Sequence, residues 1–188
     1  MLYQQLKEKT HSSHQALEKK LIARIKNIQS PEDYVDLLKL MYGYYASIER
    51  RLELFLADHP NLHFNNRRKA SSILNDIRKF QSASSLPYCE QLPSIASNAS
   101  ALGALYVLEG STLGGEIITR IITGQLRLPN SEGLEFFLSY GEERHKMWEL
   151  FKENLSKPFN ESEQEEIILT ANETFITFKN WIDTYAAN

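Results

Sequence analysis

Two histidines and a run of glycines are the residues in this 188-residue sequence whose types and spacing could support chemistry. His11 and His14 stand three apart near the N-terminus, so on a helix they are neighbours. Residues 99–122 read ASALGALYVLEGSTLGGEIITRII. That stretch holds four of the eight glycines, Gly103, Gly110, Gly114 and Gly115, and no proline. A loop would carry more polar turn residues, and a strand would not tolerate so much glycine. The stretch therefore reads as a helix that accepts about 1 kcal/mol for each interior glycine. Gly103, Gly110 and Gly114 then share one face. A face without side chains lets another helix, or a planar ligand, come very close to the backbone.

Each feature alone has a plain explanation. Small residues at four-residue spacing most often mean close helix–helix contact, and a histidine on an N-terminal helix is most often an ordinary surface or core residue. Taken together they also suit a haem. An imidazole can hold the iron from one side, and a glycine wall on the other side leaves room for a diatomic molecule but not for a bulky side chain. The carboxylates of such a ligand need cations and hydroxyls. Lys7 lies two turns before His14, and Tyr106 one turn before Gly110, each on the matching side of its helix. Other chemistries lack their residues. There is no zinc-ligand spacing, no phosphate loop after a strand, no nucleophile elbow and no paired Glu-x-x-His set. Cys89 has no histidine in its own segment.

Helices must position these residues. Apolar residues at helical spacing predict one long helix, or two consecutive ones, over residues 4–28. Ser30, Pro31, Glu32 and Asp33 form a helix start, and the second helix runs to about Asp58. Further helices are expected over residues 67–80, from near Ser94 through the glycine stretch to Gly124, over residues 142–155, and from Ser162 onward. Residues 81–93 read as a loop and residues 128–133 as a turn. No period-two pattern appears. The expected fold is all-α, with seven or eight helices in a single domain over residues 1–188.

Bulk properties narrow the setting. A net charge of −3 offers no basic field for nucleic acid. A single cysteine excludes an internal disulfide and suits a reducing compartment. No apolar run approaches the roughly 18 residues needed to span a membrane, and the N-terminus has no hydrophobic signal core. A cytoplasmic protein without membrane insertion is expected.

With those residues in view, the chain resembles a known family. Residues 10–18, THSSHQALE, resemble the proximal-helix motif of biliverdin-producing haem oxygenases. Residues 105–115, LYVLEGSTLGG, are similar to their distal helix, especially in the bacterial branch. Residues 133–141, GLEFFLSYG, followed by Trp148 and Phe151, are also similar to that branch. The likeness runs over nearly the whole chain, and the distal motif is its most specific part.

The resemblance implies that His14, not His11, is the iron ligand. It implies that Gly110 and Gly114, with Gly115 beside them, form a kinked distal helix over the haem. Lys7 and Tyr106 match positions that hold the haem propionates, Lys152 falls near a further basic position of that kind, and Phe175 matches a distal-side wall. Many members of the family carry an aspartate directly after the first distal glycine, where it organises waters; here that position is Ser111. A serine can bind a water but cannot act as a carboxylate. The implied reaction is oxidative opening of haem, at once substrate and cofactor, to biliverdin, carbon monoxide and ferrous iron. It uses dioxygen and electrons from an external ferredoxin, flavodoxin or NAD(P)H-dependent reductase. The competing expectation is a haem-binding protein that stores or senses haem without degrading it.

Overall fold

The computed structural model describes residues 1–83, 85–129 and 132–186. Nine α-helices, and no strand, are found among the described residues: α1 (Leu2–Lys9), α2 (His11–Lys26), α3 (Pro31–Leu56), α4 (Ala70–Phe80), α5 (Asn98–Gly110), α6 (Gly115–Leu126), α7 (Glu135–Leu138), α8 (Arg144–Leu155) and α9 (Glu161–Ala186). The expected N-terminal helix is divided at Thr10. Its Oγ1 and N–H both bond the Leu6 carbonyl, at 2.7 and 2.9 Å, and the backbone turns slightly there. The expected turn at residues 128–133 and loop at residues 81–93 include Asn130, Ser131 and Ser84, which lie outside the described residues.

Caps explain several boundaries. Ser30 Oγ accepts the Asp33 N–H while Asp33 Oδ2 accepts the Ser30 N–H, and Pro31 opens α3. Ser97 and Ser100 form a second such box, so α5 begins at Asn98 rather than near Ser94. Asn160 and Glu163 exchange the same pair of bonds at the start of α9. Gly124 does not end its helix; α6 continues to Leu126 and closes on Arg127 in the left-handed region.

Helix α3 runs through the middle of the molecule and is buried on more than one side, with Tyr34, Leu38, Leu40, Tyr44, Ile48, Leu52 and Leu56 all sealed from water. Its phenols and its backbone tie it to distant elements. Tyr34 donates to the Gly133 carbonyl and Tyr44 to the Thr174 carbonyl, each at 2.8 Å, and the Trp181 indole donates to the Leu40 carbonyl at 2.9 Å.

Helix α9 is the other organising element. It packs along α5 and α2 together. A Cβ on Gly103 would overlap the Ile167 carbonyl of α9, so glycine is what lets these two helices approach so closely. Ser97 adds a 2.6 Å bond to Glu166 at the start of the same contact. On the side facing α2, Ser13 donates to Asn172 at 2.7 Å. The helix with the histidines and the helix with the glycines thus rest on one support.

Candidate haem site

His14 projects from α2 with its side chain half exposed. Nε2 lies 3.3 Å from Glu18 Oε1, one turn on, and the imidazole centroid is 5.1 Å from that of Phe175. An exposed pair of this kind holds little energy, so the ring nitrogen can exchange its carboxylate neighbour for a metal at small cost. Phe175 is buried on α9. Its ring lies against His14, because α9 supports α2 there.

The glycine stretch is not one uninterrupted α-helix. After Gly110 the backbone tightens into a 3-10 turn over Ser111–Gly114, and α6 resumes at Gly115. The hydroxyls of Ser111 and Thr112 bond the carbonyls three residues back, Leu108 and Glu109, each at 2.7 Å. Such bonds draw carbonyls away from the α pattern and favour the tighter turn. The glycines then divide by task. A Cβ on Gly114 would meet nothing within 4 Å, and one on Gly110 would touch only the Trp148 ring at 3.7 Å. A Cβ on Gly115 would overlap the Phe137 carbonyl. Gly115 is therefore a packing residue between α6 and α7.

The expected propionate group converges near α1. Tyr106 packs its ring 5.8 Å from Trp148 and lies beside Thr10 and Tyr3, and burial raises its pKa. Lys152 places Nζ 5.2 Å from the Tyr3 ring and 2.8 Å from Glu149. Lys7 is exposed on α1, one turn after Tyr3. Cys89 is a buried free thiol pushed up to about 11 by burial, which keeps it protonated and unreactive.

The residues on either side of Gly110, Glu109 and Ser111, belong to a polar network. Arg67 and Glu109 form a buried ion pair at 2.7 Å. Arg67 also donates to the carbonyls of Leu62 and Met147, each at 3.0 Å. The Tyr140 hydroxyl donates to both Glu109 oxygens, at 2.9 and 3.2 Å, and accepts the Arg68 backbone N–H at 2.7 Å. Burial and the Glu109 charge push the Tyr140 pKa well up, so the phenol remains a donor. The Arg68 guanidinium lies 4.0 Å from the Phe136 ring centroid and reaches Ser111 Oγ at 2.6 Å and the Leu108 carbonyl at 2.9 Å.

Sequence reasoning placed Arg67 at a helix start and passed over Arg68, Glu109 and Tyr140. One signal was available. Glu109 is the single charge in the apolar run from Ala99 to Gly110, and a buried carboxylate requires a partner. Arg67 and Arg68 lie ahead of α4, which starts at Ala70, and Arg67 itself has extended backbone.

These features fit a haem: a histidine with a replaceable partner, open space at Gly114, and cations with a phenol around α1. The structure is similar to that of haem oxygenase from Leptospira interrogans, with a TM-score of 0.78 and 22% identity over 97% of this chain and 98% of that one. It is similar to the NO- and CO-bound haem oxygenase of Neisseria meningitidis, with a TM-score of 0.76 and 20% identity over 99% and 92%. It is also similar to haem oxygenase-1 of Synechocystis in complex with haem, with a TM-score of 0.77 and 18% identity over 100% and 93%. At these identities the structural likeness shows the fold. A search of curated proteins found no significant match. The family model for heme oxygenase matches residues 1–184, and the chain therefore belongs to the heme oxygenase family, oxidoreductases that degrade haem.

Proposed function

We propose that this chain, as one domain over residues 1–188, binds haem through His14 and opens it to biliverdin, carbon monoxide and ferrous iron. Family membership over residues 1–184 carries the reading. The half-exposed imidazole of His14 and the unfilled space at Gly114 support it at the level of residues. Bound haem supplies both the iron centre that activates dioxygen and the ring carbon that is oxidised. Everything else falls to the protein.

His14 would hold the iron through its imidazole, its exposed contact with Glu18 released on binding. Gly110 and Gly114 would let the ring approach the backbone of their helix and would leave room there for a small ligand. Lys7, Tyr106 and Lys152 would hold the propionates and so orient the ring. Phe175 supports the imidazole from α9. Electrons come from an external ferredoxin, flavodoxin or NAD(P)H-dependent reductase, since the chain carries no flavin or dinucleotide motif. No helix among the described residues is long and apolar enough to cross a membrane, and the free buried thiol of Cys89 suits a reducing cytoplasm.

The test is to titrate the protein with haemin. A one-to-one complex with a sharp Soret band is expected, and ascorbate or a reductase system should convert it to green biliverdin. His14→Ala should lose the normal spectrum and the conversion, and added imidazole should restore part of the spectrum. A stable complex that reductant leaves unchanged would indicate a haem carrier instead. A protein that takes up no haemin would overturn the reading.

A further inference from the structure

Ser111 occupies the position where many members of the family carry an aspartate, and its surroundings answer what replaces the acid. A serine hydroxyl has one proton to donate and two lone pairs to accept with. Here the proton is engaged by the Leu108 carbonyl at 2.7 Å. The lone pairs face Arg68 Nη2 at 2.6 Å and the Tyr45 hydroxyl at 2.9 Å. Ser111 is thus fully used by the protein and has no capacity left for a water or a ligand.

Arg68 is in the opposite condition. Nη2 spends its two hydrogens on Ser111 and Leu108. Nε and Nη1 donate to no protein group among the described residues, and neither atom is sealed from solvent. The guanidinium is nonetheless held firmly. It lies 4.0 Å from the Phe136 centroid and 5.2 Å from that of Tyr45. Its backbone N–H is fixed to Tyr140, which is fixed in turn by Glu109 and Arg67.

We propose that Arg68, anchored by Ser111, Tyr45 and the Phe136 ring, is the hydrogen-bond donor to a small ligand held at the Ser111–Gly114 turn, so that this site presents a fixed cation where an aspartate is common. This rests on the haem reading above. A guanidinium does not give up its proton. Arg68 therefore orients and polarises a ligand, while protons arrive through water. The sign of the charge has a consequence: an arginine favours anionic ligands, whereas an aspartate opposes them.

Fluoride and imidazole binding to the ferric haem complex test this, one probe being anionic and the other neutral. Arg68→Gln should weaken fluoride roughly tenfold, the loss of one charge-assisted hydrogen bond, and leave imidazole within about twofold. Ser111→Asp should weaken fluoride by a similar factor with Arg68 still present, because the new carboxylate neutralises the guanidinium. Arg68→Lys keeps the charge without the fork and should fall between wild type and Arg68→Gln; it also serves if Arg68→Gln does not fold. Haemin affinity and the melting temperature of the apoprotein establish that each variant is intact. Unchanged fluoride affinity in intact Arg68→Gln and Ser111→Asp would overturn this inference alone. Failure of the wild type to bind haemin would instead overturn the haem reading beneath it.

Discussion

Arg67 and Glu109 meet at 2.7 Å with side chains only 1% and 3% exposed, one from the segment ahead of α4 and the other from the last turn of α5. Breaking such a pair strands a charge in the interior, which typically costs about 3–5 kcal/mol. Glu109→Ala and Arg67→Ala should each lower the denaturant midpoint accordingly. The double variant should be less damaging than the sum of the two. Additive losses in a double-mutant cycle would show that the two residues act separately.

The glycines give opposed predictions for one substitution. Gly103→Ala drives a methyl into the Ile167 carbonyl and should destabilise the apoprotein by about 1–3 kcal/mol or more. Gly114→Ala meets nothing within 4 Å and has ordinary helical backbone. It should leave the melting temperature unchanged or raise it slightly, yet weaken haemin binding, because the added methyl occupies the ligand's space. Thermal melts and Soret titrations on the two variants separate packing from ligand contact.

Lys7 and Lys152 reach the Tyr3 region from different helices. If each holds a propionate, Lys7→Ala and Lys152→Ala should each weaken haemin by roughly tenfold, the worth of one charge-assisted hydrogen bond. Either change should also alter the proportions of biliverdin isomers, separable by chromatography. A weakened affinity with an unchanged isomer pattern would place the lysine outside the positioning of the ring.

Asp76 predicts a pH dependence. Its carboxylate accepts the backbone N–H groups of Glu135 and Phe136, at 2.8 and 2.9 Å, and so fixes the start of α7. Burial nevertheless pushes it up to about 6, outweighing those donors. The folded state thus holds this proton more tightly than the unfolded chain, whose carboxyl has the ordinary value of about 3.9. Its contribution to stability is complete below that value and is lost as the pH rises through about 6. Asp76→Asn does not titrate. The wild type's advantage in melting temperature over Asp76→Asn should therefore shrink between pH values of about 4 and 6.5. An advantage that grows over that interval would reverse the assigned shift.

The α class was legible because local rules dominate it. Ser30-Pro31-Glu32-Asp33 marked the start of α3 through a cap that needs no distant partner. Gly103 was recognisable as a packing glycine once the His14 and Gly110 roles were separated from it. Gly115 was not, since its neighbour Phe137 comes from a one-turn helix that no periodicity announces. The contact of Phe175 with His14 was hidden for a similar reason: helical spacing gives a face but not the neighbour it meets. Arg68 was invisible because its role depends on Tyr45, Phe136 and Ser111, which are brought together only by the tertiary fold.

Helix α9 touches both walls of the proposed site, at Asn172 and Phe175 for the histidine side and at Ile167 and Glu166 for the glycine side. It therefore holds the two walls in one register from a shared support. Admitting and releasing a ligand as large as a porphyrin then falls to the parts that α9 does not hold. The 3-10 turn at Ser111–Gly114 and the following α6, with Ile117 turned to solvent, are those parts. On the proposed reading, the wall expected to yield is the one built from glycine and a 3-10 hydrogen-bond pattern, while the helix bearing His14 stays in register.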